Sequence, residues 1–146
     1  MMRDKLGLFG MDEKDKFLIL DLLTWMHQKK ADYTNTFCYL MNEDTNEEKN
    51  YKDDNFLIWK KRWNERLKIN NNSSEKCIEL MKTVNPLVIP RNHKVEQALK
   101  AAEQNDLTPI NKILEILNYP YIKQNNILNY QAPHLSNEKY QTFCGT

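Results

Sequence analysis

The residues of this chain best suited to chemistry are three cysteines (Cys38, Cys77 and Cys144) and three histidines (His27, His93 and His134). A structural zinc site draws its ligands from close pairs such as C-x2-C or H-x3-H. None of the six stands in such a pair, so no metal site is expected. Cysteine-based hydrolysis needs a thiolate beside a histidine and an orienting third group. Cys38 and Cys77 fall within helical patterns and read as small core or boundary residues. Cys144, in the closing stretch YQTFCGT, is different. A thiol in a tail is accessible, and accessibility is half of what makes a cysteine reactive. On composition alone two readings stand, a spectator thiol and a reactive one, with the spectator favoured.

Other motifs are weaker. His93 follows Arg91 and Asn92 where a helix should begin. The RNH triplet reads as a cap and anchor for that helix, or as a polar cluster reaching toward a neighbouring catalytic lobe. The stretch WKKRWNERLK interleaves aromatics with bases, as nucleic-acid-binding surfaces do. Here the aromatics share one helical face and the bases lie elsewhere, which describes a solvated amphipathic helix. There is no glycine-rich phosphate loop, no kinase-type Lys/Glu pair, no DFG and no HEXXH.

Composition sets the limits within which these residues act. The 146 residues fit one domain with a real core. Apolar residues make up 40% and charged residues 28%, a globular balance. Only three glycines argue against a turn-dense sheet fold, and a net charge of +1 supplies no field to recruit nucleic acid or an acidic membrane. No run of 18 apolar residues predicts a transmembrane helix, and no signal-peptide pattern opens the chain. Three scattered cysteines fit a reducing compartment better than a disulfide scaffold.

The elements that must position these residues read as helices. Residues 12 to 30 form the first, with Asp12 as N-cap and Glu13 and Asp15 favouring the positive end of its dipole. Its many apolar residues, from Phe17 to Met26, predict burial on most sides. Asp32 caps a shorter helix with Phe37, Leu40 and Met41 on its apolar side. Residues 42 to 55 are acidic, Asn-rich and read as a surface loop. In the next helix Phe56, Trp59, Trp63 and Leu67 make one face. Its five bases and the six acids of residues 43 to 54 could face each other.

Ser73 or Ser74 caps a helix running to Val84. The two prolines of NPLVIPRNH then force an extended connector with Leu87, Val88 and Ile89 tucked in. Residues 92 to 104 form a helix with Val95, Ala98, Leu99 and Ala102 on one face, and Asn105 suits the left-handed position after it. Thr108 as N-cap and Pro109 at the first position open another helix, whose Ile110, Ile113, Leu114 and Leu117 repeat at helical spacing. The short loop between the two predicts an antiparallel hairpin. Beyond Pro120 the pattern dissolves into a tail anchored by Tyr121, Tyr130, Tyr140 and Phe143. The expected fold class is mainly α. Two parts follow: residues 1–121, a helical region, and residues 122–146, an extended tail carrying Cys144.

Taken together, KLGL, ADYTNTF, W…RW…RL, NPLVIPRNHKVEQALKAAE, ILEILNYPY and the closing YQTFCGT resemble, in order and spacing, the C-terminal part of the SelO family (selenoprotein O, YdiU, UPF0061). The NP-x3-PRNH-x-VE-x-AL-x-AAE stretch and TFCGT are the most specific pieces. The resemblance implies the helical C-terminal portion of a protein-kinase-like fold. It also implies a protein adenylyltransferase that moves AMP from ATP to protein hydroxyls with Mg2+ or Mn2+. The family's nucleotide-binding and catalytic residues lie in an N-terminal lobe that nothing here matches. The chain is therefore expected to be a fragment beginning in mid-fold. It would have no catalytic, cofactor-binding or metal residues of its own and would be inactive without that missing lobe.

By the same resemblance Cys144 holds a position where family members carry selenocysteine or cysteine. That implies a redox role, a reversible disulfide with a thiol in the missing lobe. Cys38 departs from the pattern, which has Arg there. The implied partners are the missing lobe and the protein substrates of the complete enzyme, with neither nucleic acid nor membrane. The implied compartment is the cytoplasm for a bacterial protein and the mitochondrion for a eukaryotic one. A different class of function, a free-standing helical interaction module, remains the alternative. A nucleic-acid-binding bundle is disfavoured by the near-neutral charge.

Overall fold

The computed structural model describes residues 1–45, 49–69 and 72–133, and among these the regular structure is helical, with no strand. The first element, α1 (Met2–Lys5), is a single turn that ends at Gly7 in the left-handed region. The second, α2 (Asp15–Lys29), starts two residues later than Asp12 as N-cap would place it. Asp12 still organises the entry: its carboxylate accepts from the Lys14 amide at 2.8 Å and its carbonyl from the Asp15 amide at 3.0 Å. Helix α2 buries one face, made by Asp15, Leu18, Leu22, Trp25 and Met26. Phe17 and Leu20 are 54% and 59% exposed, so among the described residues α2 is not buried on most sides.

Helix α3 (Tyr33–Leu40) begins where Asp32 places it, the carboxylate accepting from the Asn35 amide at 2.9 Å. It is the innermost element: Thr34, Asn35, Thr36, Phe37, Cys38 and Leu40 are all buried. A 3-10 turn (Asn50–Lys52) follows, and Tyr51 leaves the polar loop to enter the core at 1% exposure. The reason is aromatic: Tyr51 stacks on Tyr39 at 4.0 Å and meets Phe56 at 5.3 Å between ring centres.

Helix α4 (Asp54–Lys68) is capped by Asp53 and buries Phe56, Trp59 and Trp63, the face its spacing predicts. It runs antiparallel to α2, with Trp25 bonded to Asp53 at one end and Arg66 to Asp15 at the other. Each of the three tryptophans buries its ring and finds a partner for its N–H. Trp25 donates to Asp53 at 2.9 Å, Trp59 to the Leu18 carbonyl at 2.8 Å, and Trp63 to the Leu6 carbonyl at 2.8 Å. The acidic loop and the basic helix do not face each other among the described residues. Arg62 and Arg66 pair with Asp21 and Asp15 of α2, whereas Glu43 and Asp44 pair with Lys82 and Lys123.

Helix α5 (Ser74–Val84) is capped by Ser73 and buries Cys77 and Met81. It lies on α1, and Gly7 is what allows the approach, since a β-carbon there would stand 2.7 Å from the Cys77 carbonyl oxygen. Asn85 closes this corner by donating to the Lys5 carbonyl at 2.9 Å. The connector after it is extended, with Leu87 and Val88 buried.

Helices α6 (Asn92–Glu103) and α7 (Thr108–Leu117) form the expected hairpin around Asn105, whose φ is 64°. Thr108 is already helical and Leu107 stands at the cap position without a side-chain bond, while the Asp106 carboxylate just before it accepts from the Thr108 amide at 2.9 Å. A last short helix, α8 (Leu128–Gln131), crosses back over the connector. Tyr121 is 48% exposed and is not an anchor; Ile127 and Gln131 hold that role, with Tyr130 partly buried against the core.

Candidate functional site

The connector between α5 and α6 is where separate parts of the chain converge on polar groups. Arg91, the residue before α6, lays both terminal nitrogens on Asp32, at 2.6 and 2.8 Å. One of those nitrogens also donates to the main-chain oxygen of Gln131 at 2.7 Å. Asp32 thus does two jobs, capping α3 and holding a guanidinium in the two-pronged geometry that arginine favours. The Gln131 side chain, 2% exposed, donates to the Leu87 carbonyl at 2.6 Å and approaches the Cys38 sulfur at 3.9 Å. A second inter-segment tie runs from the Leu87 amide to the Pro120 carbonyl at 2.7 Å. Among the described residues the side-chain amide of Asn35, the Arg91 Nε and the Gln131 Oε1 are buried without a protein partner.

Cys38 lies at the floor of this node, fully buried, with the Pro86 and Leu87 carbonyls 3.9 and 3.8 Å from its sulfur. Burial pushes its thiol up to about 12, with the charges of Glu43 and Asp32 adding to the effect and Arg91 opposing it. A thiol so placed stays protonated and is a poor nucleophile. Cys77 is likewise buried and its thiol raised by burial. The structure therefore bears out the reading of both as core residues. Cys144, the redox candidate, lies outside the described residues, as do His134, Tyr140 and Phe143.

Two open clefts flank the segment that carries α8. One, of about 1020 Å³, lies between it and the α6–α7 hairpin and is bordered by Lys94, Gln97, Lys112, Asn126 and Asn129. The other, of about 330 Å³, lies between it and Glu43, Asp44 and Leu87. Neither converges acid, base and nucleophile in the manner of a catalytic centre. Among the described residues no group of three or more His, Cys, Asp or Glu side chains could hold a metal ion. No helix there is long and apolar enough to cross a membrane.

The sequence places Arg91 and His93 at a helix start, but it does not show that Arg91 ties Asp32 to Gln131, residues 59 and 40 positions away. The only advance signal was a charged residue between a proline and a helix, where a side chain need not be solvated.

Against known families, residues 1–118 match the model for "Protein adenylyltransferase SelO". Among curated proteins, the chain is 53% identical over 148 residues to "Protein nucleotidyltransferase YdiU" of Pelagibacter ubique, covering 100% of this chain and 30% of that protein. It is 47% identical to the protein of the same description from Alcanivorax borkumensis, over 100% of this chain and 31% of the relative. For the Clostridium beijerinckii protein the identity is 43%, over 99% of this chain and 30% of the relative. The chain thus spans about 30% of the length of the curated relatives it matches. With a family match over residues 1–118 and identities of this size along its whole length, the chain belongs to the SelO family.

Proposed function

We propose that this chain is the helical C-terminal portion of a SelO-type protein adenylyltransferase. In that reading the complete protein transfers AMP from ATP to Ser, Thr or Tyr hydroxyls of other proteins, using Mg2+ or Mn2+. This portion contributes no catalytic, nucleotide-binding or metal residue. Residues 1–121 act as the body and residues 122–146 as a tail. Cys144 is the redox candidate, a thiol able to form a reversible disulfide with one in the remainder of the protein. The working compartment is the cytoplasm in a bacterium and the mitochondrion in a eukaryote.

The observation that carries this reading is the coverage: the chain aligns along its whole length with relatives of which it spans 30%. Apolar side chains left on outer faces support it. Phe17 and Leu20 of α2 and Ile58 of α4 are each more than half exposed, and so are Leu107, Leu114 and Tyr119 around α7. Helix α7, amphipathic in sequence, buries no residue fully. Surfaces of this kind belong against a partner, and here the partner is the remainder of a SelO polypeptide.

The alternative, a free-standing helical interaction module, draws on a different observation. The α2–α3–α4 core is closed by aromatic contacts and by tryptophan hydrogen bonds of its own. Supplying the remainder of a SelO protein separates the two. Adenylyl transfer that depends on this chain supports the first reading; a folded chain that never affects transfer supports the second.

A further inference from the structure

The segment from Asn125 to Pro133 meets the body of the protein through Ile127, Tyr130 and Gln131, with Tyr130 only partly buried. Asn125, Asn126, Leu128 and Asn129 are exposed, and only Ile127 and Gln131 are buried. Open clefts undercut it on both sides, of about 1020 and 330 Å³. Its base is fixed separately, because Gln124 donates to the Ile116 and Tyr119 carbonyls at the end of α7, at 2.9 and 2.8 Å. Immediately after that base, Asn126 sits at a φ of 63°, a left-handed joint that asparagine tolerates. The far end is closed by polar bonds: Arg91 to the Gln131 carbonyl, and the Gln131 amide to the Leu87 carbonyl.

We infer that residues 125–133 form a strap that opens and closes as a unit about Asn126, latched by Arg91 and Gln131, and that its closed state seals Cys38. Segments with few buried apolar contacts and exposed surroundings open locally before a protein unfolds globally. The strap fits that description, and α3 beneath it does not. The geometry ties opening to a chemical signal. Gln131 is the side chain over the Cys38 sulfur, so lifting the strap bares that thiol and the carbonyls of Pro86 and Leu87 beside it. Cys77 is buried elsewhere, between α5 and Gly7, and the strap does not cover it. This inference stands on the contacts alone and is independent of the adenylyltransferase reading.

The test is pulsed alkylation of the 146-residue chain with N-ethylmaleimide under native conditions, with each cysteine mapped by peptide mass. In the wild type Cys38 should be modified several-fold faster than Cys77. Arg91→Ala should speed Cys38 by roughly tenfold or more, the scale of losing hydrogen bonds to a charged group, and leave Cys77 within about twofold. Because Arg91 also steadies Asp32 and the start of α3, Gln131→Ala is the second variant. It keeps the Arg91–Asp32 pair and should also speed Cys38 selectively. Backbone hydrogen exchange gives a reading that needs no variant to fold: the amides of Asn129, Tyr130 and Gln131 should exchange well before those of α3. Equal modification of Cys38 and Cys77 in the wild type, or strap amides as protected as those of α3, would overturn the inference. So would variants that accelerate both cysteines alike.

Discussion

Arg66 and Asp15 meet as a two-pronged pair inside the α2–α4 interface, Nε to Oδ1 at 2.6 Å and Nη2 to Oδ2 at 3.1 Å. Their side chains are 8% and 4% exposed, and the guanidinium also donates to the Phe9 carbonyl at 3.1 Å. Two buried charges attract strongly but were costly to remove from water, so the pair gives little net stability as a unit. Losing one partner is another matter. Arg66→Met should cost about 3–5 kcal/mol, because Asp15 is then buried without its counter-charge. The double variant Asp15→Leu/Arg66→Met should recover most of that loss. Urea unfolding of the two single variants and the double variant measures the coupling. A double variant as unstable as the sum of the singles would contradict the account.

Gly7 makes a second, sharper prediction. Its φ of 67° and the 2.7 Å approach of the Cys77 carbonyl oxygen to a built β-carbon leave no room for a side chain. Gly7→Ala should destabilise by roughly 1–2 kcal/mol from backbone conformation alone, with the displacement of α5 adding to it. The thermal midpoint should fall by several degrees, and Cys77 should become easier to alkylate while Cys38 does not.

Asp53 ties the start of α4 to the end of α2. It caps α4, accepts from the Trp25 indole, and pairs with Lys29 at 2.6 Å. The Lys29 hydrogen bond, then that of Trp25, holds its carboxyl below the usual carboxylate range. A carboxyl lowered on folding contributes stability that is fully present above its unfolded value and drains away as pH falls through its folded value. The stability difference between wild type and Asp53→Asn should therefore be constant from neutral pH down to about 4 and shrink below that. Denaturant titrations at several acidic pH values check it, and a difference that grows on acidification would contradict it.

Cys38 gives the opposite sign. Its thiol, raised from 9.0 to about 12, is neutral in the folded protein over a range in which the unfolded chain ionises. The unfolded state then binds fewer protons, so stability falls as pH rises from about 9 toward 12. The wild type should lose up to about 1.4 kcal/mol per pH unit more than Cys38→Ala across that window. Parallel alkaline melts of the two proteins measure the difference, and identical slopes would refute the assignment.

Much of this architecture could be read in advance, for local reasons. Asp32 and Ser73 cap helices because a short polar side chain before an apolar run satisfies the first amides. Asn105 ends α6 because asparagine accepts the left-handed position. Phe56, Trp59 and Trp63 shared a face because their spacing follows the helical period. Cys38 and Cys77 proved to be core residues, as their helical setting suggested.

What stayed hidden depends on pairings across the chain. Arg66 is one of five bases in a helix that reads as solvated, and its burial follows only from an acid 51 residues earlier. Tyr51 stands in an acidic, Asn-rich loop, and only the Tyr39 and Phe56 rings account for its 1% exposure. Gln131 looks like polar filler until Leu87 and Arg91 come to meet it. Phe17 and Leu20 differ in the other direction: apolar residues on every side of α2 suggest burial that the described residues do not provide. Family membership was legible because the PRNH-centred stretch is specific, whereas Cys144, on which the redox proposal turns, lies outside the described residues.

The claim that this chain completes a SelO-type adenylyltransferase is tested most directly by a graft. The stretch of the Pelagibacter relative that aligns with this chain, 30% of that protein, is replaced by it. Incorporation of labelled AMP from ATP into protein is then measured for the graft, for the relative lacking the stretch, and for this chain alone. The account predicts transfer by the graft and none by the other two. Transfer by the isolated chain, or a soluble, folded graft that transfers nothing, would contradict it.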